Sequence, residues 1–131
     1  MKLFGVFLIV ATLAIYAQAA TNTAHDASYL KKAARANGIV DAEKDYSNGV
    51  YRIEIYGLPG TGKDPKAEYL KDTYGVKTTP VAGCCVTPQI RGHAEGYNTR
   101  MKELLNLKFG KDVFLEAQEL WKNGKLKNHP Q

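Results

Sequence analysis

Three features of the chain have residue types and spacing that could carry chemistry: a glycine-rich stretch ending in lysine, two adjacent cysteines, and a histidine shortly after them. Gly57-Leu58-Pro59-Gly60-Thr61-Gly62-Lys63 has the G-x-x-x-x-G-K spacing of a phosphate-cradling loop. Position 64 breaks the pattern, because Asp64 stands where a Ser or Thr hydroxyl would bind Mg²⁺, and Pro65 removes one backbone N–H donor from the helix start. No apolar strand ending in Asp follows to hold the metal. Nucleotide hydrolysis is therefore not the expectation, and the plainer reading is a glycine turn with a solvated lysine.

Cys84 and Cys85 are neighbours in sequence. A disulfide between them would close a small strained ring, and in a regular strand their side chains would face opposite sides. Three readings stay open: at least one thiol is a small buried hydrophobe, Cys84 is a reactive or redox thiol near a helix N-terminus, or both bind a soft metal with His93, Met101 or a second chain. Two adjacent cysteines do not have the spacing of a closed zinc site. His93 falls in the first turns of the helix after the cysteines, where a satisfied helix histidine is the simpler role, and His25 and His129 read as solvated. No Ser, His and acid grouping emerges from local spacing, because triads converge in space rather than along the chain. Asp64, Glu68 and Glu95 read as caps and solvated helix faces, no catalytic residue is singled out, and no cofactor is implied.

The elements that must position these residues belong to one domain. The chain has 131 residues, 44% hydrophobic and 24% charged, with 18 Lys and Arg against 13 Asp and Glu. Its charge excess is not gathered into a basic stripe with interleaved aromatics, so nucleic acid is not an expected partner. Met1-Lys2, the uncharged run Leu3 to Tyr16 and the small-x-small Ala17-Gln18-Ala19 have the form of a secretory signal peptide over residues 1–19, which leaves residues 20–131 as the mature domain. The run is too short for a permanent membrane anchor. Secretion, in a bacterial setting to the periplasm, is the expected address. A domain this small needs its aromatics, including the seven Tyr beyond residue 19 of the chain's eight, with Phe109, Phe114 and Trp121, for packing.

Along the mature chain, Asp26 can cap a first helix over about 27–37 with a stripe of Tyr29, Leu30, Ala33 and Ala34, stopped by Asn37-Gly38. Asp41 to Tyr46 favours a further turn or two of helix, ended by Asn48-Gly49, over a strand. Residues 50–56 alternate as a strand, Asp64-Pro65 opens a helix closed at Gly75, and residues 76–86 form a bent or edge strand containing Pro80 and Gly83. Thr87-Pro88 starts a long helix with Ile90, Ala94, Tyr97, Met101, Leu104 and Leu105 in period, where Gly92 and Gly96 admit a close neighbour. Phe109-Gly110 breaks it, Asp112 caps the last helix, Asn123-Gly124 closes it, and a frayed tail follows.

The expected fold is a small layered α/β domain, a βαβ unit flanked by N- and C-terminal helices. Strands joined by a helix should be parallel, which brings the loop at 57–64 and the segment at 83–88 to the same carboxyl edge of the sheet. The candidate ligand-binding residues there are Gly57, Gly60, Gly62, Lys63, Cys84, Thr87, Arg91, His93 and Asn98. Two helix N-termini aimed at such a crevice favour a small anionic ligand or a carboxylate-bearing envelope protein as partner.

Tyr56-Gly57-Leu58-Pro59, Tyr74-Gly75-Val76, Val81-Ala82-Gly83-Cys84, Tyr97-Asn98 with Met101, and Phe109-Gly110-Lys111-Asp112 together resemble small exported bacterial proteins with a FEKKY domain, over roughly residues 42–117. The resemblance implies a periplasmic or surface setting and no mechanism. In that pattern Cys84 looks like the family's cysteine, and Cys85 stands at a position that is usually apolar.

Overall fold

Short polar caps set most of the element ends. Asp64 accepts a hydrogen bond from Lys66 N–H ahead of Pro65, Thr87 accepts one from Ile90 N–H ahead of Pro88, and Asp112 accepts from Phe114 and Leu115 N–H. Gly75 and Gly110 close their helices with positive φ of 71° and 68°, a conformation that costs glycine nothing. The computed structural model describes residues 4–57 and 64–126, with side chains from residue 26 onward. Its elements run α1 (Phe4–Ser47), β1 (Arg52–Tyr56), α2 (Pro65–Tyr74), β2 (Lys77–Ala82), α3 (Pro88–Phe109) and α4 (Val113–Lys122).

The two strands pair in parallel, with Arg52 opposite Lys77, Glu54 opposite Thr79 and Ile55 opposite Pro80; an irregularity after Ile55 places Tyr56 opposite Ala82. Helix α2 connects them. This is the expected mixed α/β domain with a βαβ unit between helices. Pro80 cannot donate to a ladder, and among the described residues its sheet has two strands, so β2 has an edge with no strand beside it there.

The N-terminal helix differs from expectation. Residues 27–37 and 41–46 do not form two helices; both lie within α1, and Asn37-Gly38 does not stop it. Gly38 is needed for another purpose: a Cβ there would overlap the His93 carbonyl oxygen and lie 2.8 Å from Tyr97 N. On α3, a Cβ on Gly92 would overlap the Lys31 carbonyl and one on Gly96 the Arg35 carbonyl. The two helices therefore touch backbone to backbone through small residues. They run in parallel, since Lys31 meets Gly92, Arg35 meets Gly96, and Glu43 pairs with Arg100 at 2.8 Å further along. Of the expected stripe of Tyr29, Leu30, Ala33 and Ala34, only Ala34 lies on the packed face: Tyr29, Leu30 and Ala33 are exposed, while Gly38 and Ala42 are buried. The real face follows the four-residue steps Ala34, Gly38 and Ala42.

Helix α3 forms the centre. Its Tyr97, Met101 and Leu105 are fully buried with Ala42 of α1, Leu70, Val76, Val113 and Ala117. Each Met, Leu or Val side chain among them contributes about 1.5–3 kcal/mol by leaving water. Tyr46, Tyr51, Tyr69, Tyr74, Phe109 and Phe114 line this core half-buried, whereas Trp121 remains exposed. Among the described residues, no helix is long and apolar enough to cross a membrane. Of the expected frayed tail after Gly124, residues 127–131, with His129, lie outside the described residues, as do the side chains of the expected signal segment.

Candidate functional site

Strand β1 has two packed faces. Tyr51 and Ile53 meet the apolar core, while the side chains of Arg52 and Glu54 reach acids and polar groups on α1 and α3. Charges placed on that face need partners, and they have them. Arg52 Nε donates to Asp45 (2.9 Å) and to the Tyr97 hydroxyl (3.0 Å), and its guanidinium lies 4.9 Å from the centre of the Tyr97 ring. Tyr97 in turn donates to Asp45 at 2.7 Å. Burial and the bond to Asp45 hold the Tyr97 hydroxyl far above its ordinary pKa, against the opposing pull of Arg52, so it stays protonated.

Asn98 ties α3 to the strand. The Glu54 N–H donates to its Oδ1 (2.8 Å), and its Nδ2 donates to the Glu54 carbonyl (2.7 Å), so the side-chain amide stands in for a neighbouring strand. This fixes the backbone from which the Glu54 carboxylate projects. That carboxylate is only 3% exposed and binds His93 Nδ1 at 2.9 Å. The other ring nitrogen, Nε2, meets Asp41 at 3.0 Å, and Asp41 is 54% exposed. Burial opposes a charge on His93, but the hydrogen bonds and charges of Asp41 and Glu54 outweigh it and lift the imidazole above its usual pKa. As an imidazolium it donates from both nitrogens, to one fixed acid and one solvent-facing acid.

His93 and Glu54 form part of an open pocket of about 280 Å³, completed by Ala34 and Asn37 of α1, Val81 of β2, and Gln89 and Ile90 of α3. The pocket lies towards the carboxyl ends of the strands. Gly57 N–H donates to the Ala82 carbonyl at 3.1 Å, so the start of the glycine loop and the end of β2 are adjacent, as parallel strands require.

Of the residues expected to line this edge, His93 does so. Gly57 stands at the strand end, Thr87 serves as the cap of α3, and Arg91 is exposed and takes no part in the pocket lining. Asn98 binds the strand backbone instead of the pocket. Gly60, Gly62 and Lys63 lie outside the described residues. Neither thiol is buried: Cys84 and Cys85 are both free and exposed, because β2 ends at Ala82 and the chain bends at Gly83-Cys84. Their sulfurs are 3.7 Å apart, so the opposite-facing geometry of a regular strand does not apply. Met101 is in the core and His93 is engaged by its two acids, so neither is a free ligand for them. Among the described residues, no group of three or more His, Cys, Asp or Glu is arranged to hold a metal ion.

Asp41, Asp45, Arg52, Glu54 and Tyr97 carry the site's electrostatics and were not singled out from the sequence. One signal could have found two of them: Arg52 and Glu54 alternate onto the same face of a strand that helices must cover on both sides. The chain matches no protein-family model, no curated protein and no solved structure.

Proposed function

We propose that the protein is a small exported binding module whose crevice takes a compact anion, with a short carboxylate as the best-fitting class. The observation that carries this reading is the asymmetry around His93. Glu54 is buried and neutralises the imidazolium permanently, whereas the exposed Asp41 at Nε2 is exchangeable. A ligand carboxylate can take Asp41's place at Nε2, the displaced Asp41 carboxylate turning to solvent, and Ala34, Val81 and Ile90 offer a short apolar wall beside it. The N-terminus of α3 adds a favourable dipole. Export rests on the sequence of residues 1–19. Cleavage after Ala19 would leave intact the contacts of α1 with α3 made at Lys31, Arg35, Gly38 and Glu43. A periplasmic setting and kinship with FEKKY-domain proteins rest on the same sequence blocks.

Titration with acetate, propionate and inorganic phosphate, followed through the ring ¹⁵N resonances of His93, tests the binding. Saturable shifts of Nε2 are expected, strongest with propionate. His93→Gln should abolish binding, and Asp41→Asn, by removing the internal competitor, should tighten it by up to about fivefold, the worth of an exposed ion pair. Unmoved His93 resonances, or an Asp41→Asn variant that binds more weakly than wild type, would remove the proposal. Recovery of a chain still beginning at Met1 from the envelope fraction would remove the export assignment.

A further inference from the structure

The two exposed thiols lie apart from the crevice lining and have a geometry of their own. Chain neighbours in a strand point in opposite directions, but Cys84 and Cys85 follow the end of β2, where the backbone bends, and their sulfurs approach to 3.7 Å. Both are free and exposed, and a Cβ built on the preceding Gly83 meets nothing within 4 Å, so the site is open on that side. A metal–sulfur bond of about 2.3 Å in a tetrahedral centre requires two sulfurs about 3.8 Å apart. The pair already spans one edge of that tetrahedron.

We propose that Cys84 and Cys85 form a two-thiolate chelating site for a soft divalent cation of the zinc type. The donors select the metal: paired thiolates prefer zinc-like ions to magnesium or calcium, which take oxygen ligands. A linear two-coordinate ion with similar bond lengths would need the sulfurs well over 4 Å apart, so the spacing favours the tetrahedral ion. On binding, two metal–sulfur bonds form and the two S–H protons pass to solvent, with no change of oxidation state. Among the described residues no third His, Cys, Asp or Glu completes the set, so two positions remain for water or for donors from a second molecule. Such a half-occupied centre exchanges its metal, unlike a closed four-ligand structural site.

The test uses the full chain, reduced, with Cd²⁺ as the spectroscopic probe and Zn²⁺ as competitor. Thiolate-to-cadmium charge-transfer absorption should grow to saturation, be reversed by Zn²⁺, and coincide with protection of both cysteines from alkylation as read by intact mass. Loss of an outer-shell partner alone costs a metal site about 10–100-fold, so Cys84→Ser and Cys85→Ser should each weaken Cd²⁺ binding by at least about tenfold. Both positions are exposed, and circular dichroism checks that each variant keeps its fold. The proposal is overturned if the absorption fails to appear, if either variant binds Cd²⁺ as tightly as wild type, or if only one cysteine is protected at saturation.

Discussion

Replacing Gly96 by alanine tests one of the close backbone contacts that hold α1 on α3. The added methyl would overlap the Arg35 carbonyl oxygen, a backbone atom in the middle of α1 that cannot rotate away as a side-chain tip could. Overpacking costs about 1–3 kcal/mol in general, and a rigid target places this site near the upper figure of about 3. Alanine returns about 1 kcal/mol through its better helix propensity. The net loss is about 2 kcal/mol, and at about 4 °C per kcal/mol for a domain of this size the melting temperature should fall by about 8 °C. Thermal unfolding followed by circular dichroism measures it. Gly83→Ala is the control, since its Cβ would meet nothing within 4 Å and its φ is not positive; its melting temperature should stay near that of wild type. A Gly96→Ala protein that melts at or above the wild-type temperature would refute the close parallel packing of α1 on α3.

The acid–base cluster makes two further predictions. His93 is raised above its unfolded value of about 6.5, so its contribution to stability is fully present below that pH and is lost as pH rises through the higher folded value. Melting temperature should therefore decline over that interval in wild type, and His93→Gln should flatten the decline; an equal slope in both would show that another group is responsible. Asn98→Ala deprives Glu54 of partners for both its backbone N–H and its carbonyl, at a cost of about 1–3 kcal/mol, and amide exchange at Glu54 should accelerate in step. Unchanged exchange there would mean that the strand does not depend on the amide.

Elements whose ends are decided within a turn were legible in the sequence. Asp64-Pro65, Thr87-Pro88 and Asp112 act on N–H groups two or three residues away, and Gly75 and Gly110 on carbonyls four residues back, so no distant part of the chain can overrule them. Gly38 shows the limit. Asn-Gly has the composition of a helix stop, but a glycine also permits a second helix to come close, and only the presence of α3 decides between the two roles. Gly92 and Gly96 read correctly as points of close approach because they lie inside a long periodic stretch rather than at its end. The candidate site was legible at His93 and in the parallel strands that place it near the carboxyl edge. Its acids were not, because Asp41 and Glu54 reach His93 from separate elements, and local spacing holds no trace of a bond made across the fold. The thiols were misplaced for a simpler reason: the strand ends at Ala82, three residues short of Cys85, and the alternation rule stops with it.

The pairing of α1 with α3 also sets an order of events during synthesis. Lys31 waits for Gly92 and Arg35 for Gly96, so the first helix emerges from the ribosome nearly half a chain length ahead of the surface it docks on. Until then its small-residue face has no mate, and closure of the domain is postponed to the last third of translation. A chain built this way keeps its ends unjoined through most of its manufacture.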